Sequence, residues 1–272
     1  MLAESVHSVA DSGNQLLLLF GRRRARRAAD GDHPFGHGRA RYIYAFIVSI
    51  ILFTVGGVFS VYEGISKLRA PEPLENAWIP LVVLVIAIGL ESFSLRTAVR
   101  ESNLVRGQQS WVQFIRRAKA PELPVVLLED VAALLGLSFA LVGVGMSVIT
   151  GNVVWDAIGT IFIGVLLVIV AIVLGLEMGS LLVGEGATSA DLARIEAALQ
   201  QHPEVQSLVH FKTLYLGPDE LMVAAKLVFA PGERIERVAA IIDEVEVLVR
   251  TAVPAARVIY IEPGLVSISA AR

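Results

Sequence analysis

The chain contains no cysteine among its 272 residues. Disulfides and thiolate metal ligands are therefore excluded, although the absence says little about redox compartment. The opening MLAESVHSVAD lacks the basic n-region of a secretory signal peptide. There is no low-complexity tract and no solenoid repeat, and short steps such as Gly143-Val144-Gly145 carry no phosphate-binding fingerprint. Charge is the scarcest commodity. Only 18% of residues are charged against 55% apolar, which is too oily for an ordinary soluble domain. The shortage is concentrated: no charge occurs from Tyr42 to Tyr62, from Val131 to Trp155 or from Ala157 to Leu176. Each run is close to the roughly 20 residues that cross a bilayer as a helix. A fourth run, Ala77 to Leu90, reaches that length only if Glu91 and the serines after it lie within the membrane.

Basic residues set the expected orientation. One segment between hydrophobic runs holds Arg22, Arg23, Arg24, Arg26, Arg27, Arg39 and Arg41, and another holds Arg96, Arg100, Arg106, Arg116, Arg117 and Lys119. The turns near Pro71 and Gly151 are poor in them, so the basic segments are placed in the cytoplasm. From Thr188 the composition changes. A hydroxyl cap at Thr188 precedes the helical apolar spacing Leu192, Ile195, Ala198, Leu199. Val205, Ser207, Val209 and Phe211 alternate with Leu208, His210 and Lys212 as in a half-buried strand, and Gly217-Pro218-Asp219 marks a turn. A partner strand over Leu221 to Phe229, a helix over Glu233 to Val253 and a strand over Arg257 to Ile261 follow. The expected architecture is an α-helical integral membrane bundle over 1–184, with spans near 2–21, 42–64, 76–97, 124–148 and 155–178. A cytoplasmic α-β-β-α-β domain of α+β, ferredoxin-like class covers 185–272.

Within this greasy frame the first helix carries Glu4, His7, Asp11, Asn14 and Gln15 at steps of three and four, along one face. His7 and Asp11 project from adjacent turns onto one patch of a size suited to a metal ion. A second acid pair, Glu129-Asp130, sits in PVVLLEDVAALLGL. Ionisable groups inside a bilayer are costly and usually line a route or a site. Oxygen and nitrogen ligands of this kind suit divalent zinc, manganese, iron or cobalt. Glu91, Asp156 and Glu177 sit in or beside spans and read as helix-end charges at the interface, and the Gly175/Gly179 spacing permits close helix contact but is weak evidence for it. A third cluster, Asp30, Asp32, His33 and His37, lies in AADGDHPFGHGRARY. Pro34 and Gly36 make a regular helix across the two histidines unlikely and remove a zincin reading; spacing alone leaves a solvated turn open.

The motifs HSVADSGNQ, DGDHPFGHGRARY and LLEDVAALLGL, in this order and followed by a small α/β domain, resemble the cation diffusion facilitators. The form LLED-x-AA-x-LG is most similar to the subgroup containing mitochondrial-type zinc transporters. The resemblance implies a homodimer that exchanges a divalent cation, usually zinc, for protons. It implies transport ligands at His7 and Asp11 on one span and at Asp130 on another. The family's remaining ligand falls on Val126, which cannot bind metal, so Glu129 is the expected substitute, although neighbouring helical positions differ by about 100°. The family's loop ligands match Asp30, His33 and His37. Relatives with metal sites in the last domain use several histidines; here His210 is nearly alone, and Lys226, Tyr260 and Glu262 occupy strand positions. The family has six spans, and the five expected here leave out the first.

The resulting expectation is a divalent metal exporter, zinc foremost, working by proton-coupled antiport and alternating access. Its partners would be metal ions, protons, lipid and a second copy, with no nucleic acid and no bound cofactor. Its place would be a bacterial inner membrane. The alternative is a non-transporting relative that serves as an assembly partner. No nucleophile is paired with a general base, so an enzyme is not expected.

Overall fold

The computed structural model describes residues 2–71 and 78–264, with side chains from residue 12 onward. It divides into two units, one of residues 1–24 and 40–179 and the other of residues 25–39 and 180–272.

The first unit is helical. Helix α1 (Leu2–Ala25) precedes α2 (Ala40–Ile51), which continues through one π-helical segment (Leu52–Val58) into α3 (Phe59–Arg69). Helix α4 (Trp78–Arg106), a short α5 (Trp111–Arg117), α6 (Glu122–Thr150) and α7 (Val154–Val183) complete it. Among the described residues, four helical stretches are long and apolar enough to cross a membrane: 40–69, 78–106, 122–150 and 154–183. Each is longer than its hydrophobic run, because charged residues extend the helix beyond the apolar stretch. The packing is that of a membrane domain. Val82, Val85, Ile86, Leu90 and Phe93 of α4 are all about half or more exposed, as are Ile169 and Leu176 of α7. A water-soluble protein would not leave so continuous an apolar surface uncovered. Buried inside are Ala132, Ala133, Ala140 and Val144 of α6 and Ala157, Leu167, Ala171 and Leu174 of α7.

Close packing of α2–α3 on α7 depends on three glycines. A Cβ on Gly164 would meet the Val61 amide nitrogen at 2.6 Å and the Gly57 carbonyl at 2.9 Å, and one on Gly64 would meet the Ile161 nitrogen at 2.9 Å. Small residues let two helix backbones touch where lipid offers no hydrophobic drive for association. The Gly175/Gly179 pair is not that contact: Gly175 has only the Ser49 hydroxyl nearby, at 3.5 Å, and Gly179 has nothing within 4 Å. Ion pairs tie the helix ends. Arg41 grips Glu122 with two bonds of 2.5 and 2.7 Å, joining the starts of α2 and α6. At the opposite end Lys67 of α3 reaches Asp156 of α7 at 3.0 Å, Glu63 at 3.4 Å and the Thr160 hydroxyl at 3.1 Å. Arg116 lies 3.5 Å from Glu177. Asp156 and Glu177, expected as interfacial helix-end charges, are thus paired.

The second unit holds α8 (Ser189–Leu199), β1 (Val205–Gly217), β2 (Glu220–Phe229), α9 (Ile235–Ala252) and β3 (Ala256–Gly264). Thr188 caps α8: its hydroxyl accepts from the Asp191 amide at 3.2 Å and donates to the Asp191 carboxylate at 2.8 Å. The sheet order is β1-β2-β3, antiparallel then parallel. Leu221, Val223, Ala225 and Leu227 of β2 meet Ile195 and Leu199 of α8 and Ile241, Val245 and Val249 of α9 in one core. Strict alternation along β1 fails. Register breaks between Val205 and Ser207, and between Leu208 and His210, change the phase of the strand, as bulges do. Leu208 packs on the core, whereas Val209 is 45% exposed.

Candidate metal centre

Helix α6 carries its acids two turns from its start. Glu129 lies seven residues beyond Glu122, about 10 Å along the axis. Both Glu129 and Asp130 are buried, at 6% and 5% exposure. Neighbouring positions on a helix point in different directions, so the two carboxylates address different partners. Glu129 Oε1 accepts from Asn14 Nδ2 of α1 at 2.9 Å. Asp130 Oδ2 accepts from the Ser94 hydroxyl of α4 at 3.0 Å. Glu91 sits one turn before Ser94 on the same helix. No local unwinding is needed to bring Glu129 inward, because α6 is continuous from Glu122 to Thr150.

On α1, Asn14 is fully buried. Asp11 and His7 lie one and two turns toward the start of the same helix, and their side chains lie outside the described residues. Val126, where a ligand would complete a four-residue spacing with Asp130, instead packs with Ala98, Phe114 and Leu127 in an apolar cluster. Sequence spacing singles out Glu129 and Asp130 but not Ser94 or the pairing of Asn14 with Glu129. The available signal was a carboxylate and hydroxyl three apart inside a hydrophobic run.

The second cluster is complete in side chains. Asp30 Oδ1 accepts from the amides of Asp32 at 3.1 Å and His33 at 2.7 Å, and lies 3.2 Å from His33 Nδ1. Its Oδ2 is 3.0 Å from His37 Nε2. Pro34 and Phe35 form a turn, closed by the Gly36 amide on the His33 carbonyl at 2.9 Å, with Gly36 at φ 74°. That left-handed residue favours glycine, and the fold-back stacks the two imidazoles with centroids 4.3 Å apart. Hydrogen bonds from His37 and then from the His33 amide hold the Asp30 carboxyl down to about 2. One oxygen or nitrogen from each of Asp30, His33 and His37 falls within 4.8 Å of the others, the only such trio of His, Asp or Glu among the described residues. The loop packs against the β1–β2 hairpin: a Cβ on Gly38 would lie 2.7 Å from the Leu216 carbonyl and 3.0 Å from Gly217 Cα. In the last domain, His210 and Lys212 line an open groove of about 350 Å³ with Tyr260 and Glu262, where Lys226 pairs with Glu262 at 2.7 Å.

Long apolar helices with two buried carboxylates on α6, held by polar groups of α1 and α4, are the architecture of a membrane protein. Residues 1–183 match the model of the cation efflux transmembrane domain, and the chain belongs to that family, the cation diffusion facilitators, which are transporters and not enzymes. It is 31% identical over 232 residues to "Proton-coupled zinc antiporter SLC30A9, mitochondrial" of Xenopus laevis, covering 84% of this chain and 41% of that protein. It is 31% identical over 231 residues to "Metal tolerance protein C4" of Arabidopsis thaliana, covering 84% and 50%. Over 106 residues it is 32% identical to "Cation-efflux pump FieF" of Yersinia enterocolitica, covering 38% and 35%. The chain spans half or less of the length of these relatives.

Proposed function

We propose that this protein moves a divalent metal cation, zinc foremost, across a membrane in exchange for protons. The observation that carries the reading is the burial of Glu129 and Asp130 two turns inside an apolar bundle, with Asn14 and Ser94 bonded to them. A dication offsets the cost of such charges, and protons can take its place when it leaves. His7 and Asp11 would complete the ligand set from α1. The named proton-coupled zinc antiporter among the relatives supports both cargo and coupling.

Asp30, His33 and His37 form an accessory metal site in this reading. Its Asp30 carboxylate stays charged through the whole physiological range and so remains open to a cation. We place the αββαβ unit with the ferredoxin-like α/β sandwiches, on the cytoplasmic side of a bacterial inner membrane, in a homodimer that works by alternating access.

The test is zinc flux into liposomes containing the purified chain, followed with an enclosed zinc-sensitive dye. Asp130→Asn should abolish flux while the protein remains inserted. His33→Ala with His37→Ala should lower bound metal per chain and leave partial flux. Native flux from Asp130→Asn would overturn the assignment. Absence of flux from the native chain, with metal still bound, would favour a non-transporting assembly partner.

A further inference from the structure

Helix α4 turns one continuous face outward. Steps of three and four place Ile86, Leu90, Phe93, Thr97, Arg100 and Leu104 along it, and all six are exposed. The stripe is apolar as far as Phe93, which is how a helix meets lipid. Arg96, three residues beyond Phe93, and Arg100 then put two guanidinium groups on the same face. Both arginines are exposed, and neither is in an ion pair among the described residues. Glu101 stands about 100° further round the helix from Arg100.

Their depth is set from the other end of the helix. Trp78 opens α4 and is exposed, as tryptophans at a membrane interface are. Arg96 and Arg100 follow it at about 27 and 33 Å along the axis, and the hydrocarbon core is about 30 Å thick. The two arginines therefore stand at the opposite interface. Helix α5 marks the same level: Phe114 packs with Ala98, which lies between the two arginines, and with Leu127 of α6. Trp111 and Val112 of α5 stay exposed, and the Arg106 guanidinium covers the Trp111 ring at 4.3 Å.

We propose that this face of α4 docks anionic phospholipid, with Arg96 and Arg100 gripping the head-group phosphate and Leu90 and Phe93 lying along the acyl chains. An arginine on a lipid-facing stripe keeps its stem in hydrocarbon and its charge among head groups. Its planar fork binds phosphate oxygens in pairs, and an acidic head group supplies the countercharge that the protein does not. A second copy of the chain is a poorer occupant, because a two-fold contact through this face would set the arginines against their own copies.

The experiment titrates the full purified chain in detergent with phosphatidylglycerol or phosphatidylcholine and counts bound lipid per chain by native mass spectrometry. The parent is compared with Arg96→Gln/Arg100→Gln, with Arg96→Lys/Arg100→Lys and with Arg26→Gln/Arg27→Gln, which removes the same charge from exposed positions of the other unit. Both α4 side chains are exposed, so folding is retained; elution position and thermal unfolding check it. Expected is a preference of the parent for phosphatidylglycerol and a loss of that affinity by about tenfold in Arg96→Gln/Arg100→Gln. Phosphatidylcholine binding should stay unchanged, the lysine pair should recover part of the loss, and Arg26→Gln/Arg27→Gln should bind as the parent does. Parent-like phosphatidylglycerol affinity in Arg96→Gln/Arg100→Gln would overturn the proposal, and if its oligomeric state changed as well, the face would belong to a second copy. An equal loss in Arg26→Gln/Arg27→Gln would also overturn it, since net charge rather than this face would then attract the lipid.

Discussion

At the scale of single residues, the membrane acids differ in their surroundings rather than in kind. Glu129 and Asp130 are adjacent in sequence and almost equally buried, yet one is held by an amide on α1 and the other by a hydroxyl on α4. Val126 shows where spacing misleads. Its distance from Asp130 suggests that a histidine there would restore a ligand, but its neighbours are Ala98, Phe114 and Leu127. An imidazole in that cluster would lose apolar contacts and bury polar nitrogens without partners, at about 1–3 kcal/mol. Val126→His should therefore lower the thermal midpoint in detergent without raising metal bound per chain. A gain of one tightly bound zinc per chain would contradict this account.

Elements show how far the sequence could be read. Charge-free runs marked the helices from Tyr42 onward because apolar length is what a bilayer demands. Thr188 and Asp191 announced α8, because a cap is a local device written in adjacent residues. What was not legible was tertiary: the phase of β1 depends on bulges that pairing with β2 creates, and the glycine contacts depend on which helices become neighbours. Gly175 and Gly179 have the conspicuous spacing, but Gly57, Gly64 and Gly164 make the close approach. Gly164→Val should push α7 from α3 and cost about 1–3 kcal/mol, as overpacking does. Gly175→Ala should be nearly neutral. Equal thermal midpoints for the two variants would contradict the packing described.

The histidine loop gives a pH prediction at the same scale. Asp30 has a folded-state value of about 2, below the ordinary 3.8. Its contribution to loop order is therefore fully present above the ordinary value and is lost as pH falls through the depressed one. The His33 amide resonance in metal-free protein should hold its position down to about pH 4 and move between there and about pH 2. Asp30→Asn should abolish that movement. A His33 amide whose position does not change between about pH 4 and about pH 2, or changes equally in Asp30→Asn, would show that the carboxylate does not organise the turn.

For the whole molecule, one unit offers lipid an apolar surface and keeps its charges in the interior or at helix ends, and the other is a small α/β domain with its own core. The membrane unit is tied at both ends by ion pairs, Arg41–Glu122 and Lys67–Asp156, with buried carboxylates between them. Such an arrangement needs a cation or a proton at its centre at all times, and the central claim is that the two exchange. The direct measurement is a pH jump on liposomes that hold the purified chain and an enclosed zinc-sensitive dye. With the lumen acid relative to the outside, zinc should accumulate in the lumen. It should leave when the gradient is reversed, and Asp11→Asn or Asp130→Asn should abolish both. Zinc movement that follows its own gradient and ignores pH, while still requiring Asp130, would contradict antiport and make the protein a uniporter.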